Sequence, residues 1–219
     1  MTGRVSDIFR WPAKGFGGER PDSIALTPHG VAGDRIRMLR SNGKKVAALG
    51  VPRLLLWRAT SSGTRDPAGR EWSWEDPGLP AALGEDLRRP IAIEDHPDGR
   101  PDVPGTVLVT VEASRVAMED ALGAQLDIRR FRPNLHLALA VPAWAEEEWV
   151  GRRLRVGGAE LVGDHLCDRC AVITRDPDTS EKWGEVLRWV NDRRDSFFGV
   201  RCRVTKPGTV RAGDPVSVV

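Results

Sequence analysis

The stretch His165–Thr179, HLCDRCAVITRDPDT, holds two of the chain's three cysteines, Cys167 and Cys170, with Arg169 between them. Four chemistries compete for such thiols. Structural zinc takes four ligands and one C-x-x-C supplies two, so His165 and Cys202 would have to stand in for the missing second pair. A redox dithiol of the thioredoxin kind sits at a helix N-terminus, whose dipole lowers the thiol pKa. Here Ala171-Val172-Ile173-Thr174 reads instead as a strand, followed by the turn Asp176-Pro177-Asp178. A lone thiolate can ligate a soft transition metal, with Arg169 and Arg132 favouring the charged form. A buried, inert thiol is the fourth reading, and it is the one that suits Cys202 within an apolar strand pattern.

The chain has 219 residues, 40% of them hydrophobic, enough to bury a sizeable interior. It begins MTGRVSDIF, without the apolar run of a signal peptide, and its longest apolar stretch, Leu135–Ala145, is broken by Pro142. That stretch is far short of the ~20 residues a membrane span needs, and the expectation is a cytoplasmic protein with no membrane partner. In a reducing compartment an odd number of cysteines favours metal or catalytic roles over disulfides. A formal net charge of +2 gives no global case for nucleic acid. The clusters Arg129-Arg130-Phe131-Arg132 and Arg152-Arg153-Leu154-Arg155 suit either a small anionic ligand or a solvated surface.

Short runs rich in β-branched residues dominate, each bounded by Gly, Pro or Asp: Val5–Phe9, Ser23–Leu26, Arg35–Leu39, Ile91–Glu94, Val107–Val111, Leu135–Val141, Arg153–Val156, Ala159–Val162, Ala171–Thr174 and Val200–Val204. Such a series predicts a barrel or sandwich rather than regular βαβ alternation. Ser114 is placed to cap a helix running to about Gly123, and Glu181–Arg193 repeats apolar residues at helical spacing through Trp183, Val186, Leu187 and Val190. A further helix is read over Pro80–Leu87. The segment His96–Gly105, HPDGRPDVPG, continues neither helix nor central strand and marks a boundary between residues 1–95 and 96–219.

Several motifs succeed one another in an order that resembles the MOSC domain family. They are V-S-D-I-F-R-W-P-A-K near the start, G-V-A-G-D-R, V-P-R-L, E-A-S before the helix, F-R-P-N before a strand, C-D-R-C with D-P-D-T, then F-G and K-P-G-T-V-R-A-G-D-P-V. The resemblance spans Val5 to Val218. It implies an α+β, mostly β fold: a MOSC-type β-barrel core with an associated N-terminal α/β subdomain, and the molybdenum cofactor (molybdopterin) bound between them. The second cysteine of C-x-R-C, Cys170, is then the molybdenum ligand and the catalytic residue. Lys14, Arg35, Ser114, Arg132, Asn134 and Arg169 match positions around the pterin and its phosphate, to which Lys14, Arg35 and Arg132 would give charge-assisted bonds and Ser114 a helix N-terminus. Asp214 of G-D-P-V is read as a turn residue. Two departures stand out: Gly15 follows Lys14 where serine is common, and Ala48-Leu49-Gly50 replaces the usual arginine-glutamine before P-R-L.

The activity implied is an oxidoreductase that reduces N-hydroxylated or N-oxide compounds. Three cysteines are too few for molybdenum and an iron–sulfur cluster together, and no G-x-G-x-x-G follows a strand. Electrons would come from a separate donor, a ferredoxin, flavin reductase or cytochrome. The rivals are a cofactor carrier or sulfur relay without turnover, and a thiol redox protein cycling Cys167 and Cys170.

Overall fold

Thr106–Val111 shows how the sequence builds its central layer. All six residues of TVLVTV are buried. Val107, Val109 and Val111 face the interior of a barrel, whereas Thr110 on the other face bonds the His136 ring at 2.9 Å. The computed structural model describes residues 1–96 and 105–219, and its barrel is closed by seven strands. These are β1 (Thr2–Ile8), β2 (Thr106–Val111), β3 (Leu135–Leu139), β4 (Arg153–Val156), β5 (Ala159–Asp168), β6 (Phe197–Lys206) and β7 (Pro215–Val218). Their order around the barrel is β1-β3-β2-β6-β5-β4-β7, with β7 returning to β1. Among the described residues three helices accompany them: α1 (Leu79–Leu87), α2 (Glu112–Leu122) and α3 (Gly184–Arg194).

Every neighbouring pair in the barrel is antiparallel except β2 with β3. A parallel pair cannot be joined by a hairpin, so the chain must cross over. α2 and the 3-10 turn Ile128–Phe131 make that crossover, which delivers the arginine run 129–132 to the end of the barrel where β3 begins. The outer apolar faces of α2 and α3 meet there, in a cluster of Met118, Phe131, Ile173, Val186, Val190 and Phe198. Its centre is the stacked pair Phe131–Phe198, with ring centroids 3.9 Å apart. Each large side chain so buried contributes about 1.5–3 kcal/mol.

Ahead of the crossover, two small sheets and α1 enclose a separate core built on Phe16, Leu54, Trp57, Leu79 and Leu83. One sheet sets Arg37–Ser41 between Lys44–Val46 and Ala92–Asp95; the other sets Gly63–Arg65 between Arg58–Ala59 and Glu71–Ser73. The first strand of the chain is nevertheless a barrel strand, and Ser23–Thr27 pairs with Gly208–Arg211 near the other end of the sequence. Residues 97–104 of the expected boundary segment lie outside the described residues. No described helix is long and apolar enough to cross a membrane.

Several expectations need correction. Ala171–Thr174 is a 3-10 turn and not a strand. Its amides turn back on the chain, Ile173 N–H to the Cys170 carbonyl (3.2 Å) and Arg175 N–H to that of Val172 (3.0 Å). Successive residues Ile173 and Thr174 are both buried, which alternation does not anticipate. β5 does not stop at Val162 but continues to Asp168, through register shifts against β6 that a period-two reading misses. Pro215–Val218, the strand that closes the barrel, is too short to stand out between turn residues.

The 3-10 turn Ala145–Trp149 lies so close on β5 that a Cβ at Gly163 would stand 1.9 Å from the Trp149 carbonyl oxygen. This turn buries Glu146, which is 1% exposed and accepts a 2.6 Å bond from the Ser114 hydroxyl. Burial pushes the Glu146 carboxyl up to about 7 from an ordinary 4.5. The folded state therefore holds this proton more tightly than the unfolded chain does. The group's contribution is most favourable below its unfolded pKa and is lost as pH rises through 4.5 toward 7. Glu146→Gln should accordingly raise the urea midpoint at pH 8, by about 2–3 kcal/mol of stability, and change it little at pH 4.5; equal effects at both pH values would contradict the buried neutral carboxyl.

Candidate functional site

A cavity of about 340 Å³ opens where the crossover and the end of β5 meet the N-terminal segment. It is within the size range of small-molecule and cofactor pockets. Each wall follows from a local necessity of the chain. β5 leaves the barrel at Asp168, and the 3-10 turn after it is headed by Cys170. Cys167, still in the strand, is buried, while Cys170 is exposed. Both line the cavity. Cys202 sits fully buried on β6, and desolvation pushes its thiol far up, away from ionisation. The inert reading suits it. Among the described residues no group of three or more His, Cys, Asp or Glu side chains is placed to hold a metal ion, so the four-ligand zinc arrangement has no counterpart.

Arg169 fixes the C-x-R-C segment. Its backbone N–H donates to the Ser196 carbonyl (2.8 Å) and its guanidinium donates to Cys167 Sγ (2.9 Å) and the Phe131 carbonyl (2.5 Å). It also lies over the Phe131 ring, 5.3 Å from the centroid. The D-P-D-T motif that follows serves the arginine run. Asp176 accepts the N–H groups of Asp178 and Thr179 with one oxygen, both at 2.9 Å, and Arg130 with the other at 2.9 Å. Arg129 beside Asp178 holds that carboxyl below its ordinary range.

The opposite contributions come from Trp11–Arg37. Asp34, 3% exposed, accepts the Trp11 N–H at 2.8 Å and pairs with Arg35. Arg35 also donates to the Arg132 carbonyl (3.2 Å), and Arg132 donates to the Phe16 carbonyl (2.7 Å) while lying 4.2 Å from the Trp11 ring centroid. Arg35 and Arg132 both have φ of +53°, left-handed backbone that costs an L-residue about 1–2 kcal/mol. Lys14 reaches the cavity from a turn whose N–H donates to the Arg37 carbonyl at 2.8 Å.

Five of the expected residues, Lys14, Arg35, Arg132, Arg169 and Cys170, thus line one cavity. Two do not. Ser114 is fully buried inside the first turn of α2, which begins at Glu112 with Val111 as its cap residue. Its hydroxyl accepts the Trp144 N–H (2.8 Å) and donates to Glu146, leaving nothing for an anion. Asn134 is fully buried as well; its side chain accepts the Leu108 N–H (3.1 Å) and donates to the Phe9 carbonyl (3.4 Å), latching β3 between its neighbours. Asp214 keeps to its turn, accepting the Arg211 N–H at 2.8 Å. Arg201, which no motif points to, also lines the cavity, as do Arg130 of the arginine run and the turn Ala47–Leu49, where the sequence departs from the family pattern. For Arg201 a signal exists: it alternates with inward-facing Val200 and Cys202 on β6, so it must face out of the barrel. For Ala47–Leu49 the signal is the departure from the family pattern at Ala48-Leu49-Gly50.

The lining carries six cations, Lys14, Arg35, Arg130, Arg132, Arg169 and Arg201, against one carboxylate, Asp168. Arg130 is 8% exposed and desolvation lowers its pKa. Its Nε and one terminal nitrogen are buried without an acceptor among the described residues. Such a field is expensive in isolation and is relieved by an anion. One exposed thiol, a cationic wall and a pocket of this size fit a phosphate-bearing group whose metal brings its other ligands with it. They do not fit a bare metal ion.

Comparison with known proteins agrees with this picture. The model of the MOSC domain family matches residues 103–217. Human mitochondrial amidoxime-reducing component 1 is 31% identical over 124 residues, covering 50% of this chain and 35% of that protein. Mitochondrial amidoxime reducing component 2 of Macaca fascicularis is 28% identical over 134 residues, covering 55% of this chain and 38% of that protein. The match thus spans little more than a third of these relatives' length. The crystal structure of the YuaD protein from Bacillus subtilis shares the fold, with a TM-score of 0.53 at 14% identity over 100% of this chain and 96% of that one. The motif order, the seven-stranded barrel and the family match over more than half of the sequence lead to one conclusion: the chain belongs to the MOSC domain family.

Proposed function

We propose that this protein binds the molybdenum cofactor in the Cys170 cavity and acts as an oxidoreductase on N-hydroxylated or N-oxide compounds, with electrons from a separate donor. The observation that carries the reading is the exposed Cys170 thiol inside a cavity lined by six cations and a single carboxylate. Relatives named amidoxime-reducing components, at 31% and 28% identity, support the class of chemistry. When bound, the molybdenum cofactor supplies the two-electron chemistry.

The residues of the chain divide the remaining work. Cys170 offers a soft thiolate to the metal. Lys14, Arg132 and Arg201 present charge to the cofactor's phosphate. Arg169 positions the C-x-R-C segment through Cys167 and Phe131 rather than contacting the ligand through its buried Nε. The reaction consumes two electrons and two protons for each N–OH converted to N–H and water. Nothing in the sequence resembles a dinucleotide fingerprint, and the cysteines are too few for a cluster.

Three outcomes test the reading. Cys170→Ala should lose bound molybdenum and at least about a hundredfold in turnover, whereas Cys202→Ala should keep both; elemental analysis and product formation on the same samples decide, and unchanged activity in Cys170→Ala removes the ligand assignment. Lys14→Ala should weaken cofactor retention about tenfold or more, because a charge-assisted bond contributes about 1.5–3 kcal/mol. Arg35→Ala should lower both retention and stability, the latter by about 3 kcal/mol, since it leaves Asp34 buried without its partner. Pterin content after gel filtration and melting temperature check the two variants. Finally, loaded protein should reduce benzamidoxime repeatedly with reduced viologen and not with NADH alone; less than one product per molybdenum across several N-oxygenated substrates would favour a carrier.

A further inference from the structure

The turn after Lys44–Val46 sets an exposed apolar side chain in the cavity that Cys170 lines. Leu49 is 60% exposed. Of the large hydrophobic side chains exposed among the described residues, Met1 and Val219 are the chain ends and Val116 and Val150 lie away from the cavity; only Leu49 lines it. An apolar side chain held in water beside a binding cavity gains by being covered when a ligand enters.

This side chain is presented on a fixed backbone. The N–H groups of Gly50 and Val51 both donate to the Ala47 carbonyl, at 3.1 and 3.0 Å. Ala48 is 3% exposed. Gly15, with φ of +87°, packs against the turn so closely that a Cβ there would stand 2.9 Å from the Ala48 nitrogen and 3.3 Å from Leu54 Cδ1. A serine at position 15 would therefore collide with the turn in its present course. The two places where the sequence departs from the MOSC pattern, Gly15 and Ala48-Leu49-Gly50, are thus in contact and form one surface. Within a cavity otherwise dominated by guanidinium groups, Ala47, Ala48 and Leu49 together with Val172 supply an apolar portion.

We infer that Ala47–Leu49 is a specificity-determining shelf that takes the apolar body of the N-oxygenated substrate, with Leu49 as its principal contact. The inference rests on the reading of the cavity given above. It accounts for a lining that sets an apolar portion beside six cations: the anionic cofactor and an apolar substrate place opposite demands on the same cavity.

Calorimetric titration tests it without turnover. Oxidised, molybdenum-loaded wild type, Leu49→Asp and Leu49→Phe are titrated with benzamidoxime and with hydroxyurea, no electron donor being present. Leu49→Asp should weaken benzamidoxime about fivefold to tenfold and hydroxyurea less than about twofold, while Leu49→Phe should bind benzamidoxime at least as tightly as wild type. Molybdenum content and melting temperature should match wild type in both variants. Equal weakening of the two probes, loss of molybdenum from Leu49→Asp, or no benzamidoxime binding by the loaded wild type overturns the shelf. Selective weakening, followed by no product when viologen is added to the wild type, leaves the shelf standing and overturns the enzyme reading instead.

Discussion

The buried carboxylate of Asp34 is the constraint on which the cavity depends. It receives the Trp11 N–H and the Arg35 guanidinium. Arg35 in turn binds the carbonyl of Arg132, and the Trp11 indole donates to the Pro133 carbonyl at 2.7 Å. These bonds join a segment from the first forty residues to the crossover between β2 and β3. An ion pair with 3% and 8% exposed residues is weak evidence of stability, because desolvation offsets the attraction. Its value here is geometric: it fixes two arginines whose backbone would otherwise leave the left-handed region. Glycine would relieve the strain at positions 35 and 132 and would remove the charge. The strain is therefore retained at the site, where rigid neighbours hold it.

Much of the barrel was legible because its strands alternate. Ser23–Thr27 and Arg153–Val156 bury every second residue, and both were read within one residue of their bounds. Legibility failed where local hydrogen bonding competes with a strand. Ala171–Thr174 carries three β-branched residues in four, as a strand would, yet the Thr174 hydroxyl donates to the Ala171 carbonyl at 2.7 Å and the backbone closes a turn. Helix starts failed for a related reason. Ser114 has the right chemistry for a cap, but Glu112 already lies inside α2, and the hydroxyl is drawn instead to a carboxyl thirty-two residues away.

The candidate site was legible to the extent that its residues carry charge or sulfur. Cys170 and four cations were named from motif order, and the cavity gathers them. Asn134 is named for the same reason and is a backbone latch, since a buried amide bonded through both its oxygen and its nitrogen satisfies the fold before any ligand. Asp34 went unread inside G-D-R because a carboxylate that works through other residues leaves no spacing to detect. Leu49 shows in the sequence only as part of a departure from the motif pattern, because an exposed leucine in a turn is unremarkable until the cavity beside it is known.

The three cysteines show how environment, rather than identity, divides labour. Cys202 faces the barrel interior, where burial holds its thiol protonated. Cys167, one strand over, is buried too, yet it accepts a guanidinium N–H at 2.9 Å. Cys170 lies three residues further along, past the point where β5 leaves the barrel, and is exposed to the cavity. The spacing of C-x-R-C thus spans the step from core to cavity. Its arginine occupies the one position from which it can hold the first thiol, and its fork also reaches the Phe131 carbonyl, so the turn carrying the second thiol is anchored to the crossover. Lysine lacks the planar fork whose two terminal nitrogens make these contacts separately. The arginine of the motif is accordingly a positioning residue, and the motif reads as one mechanical unit rather than as two cysteines with a spacer.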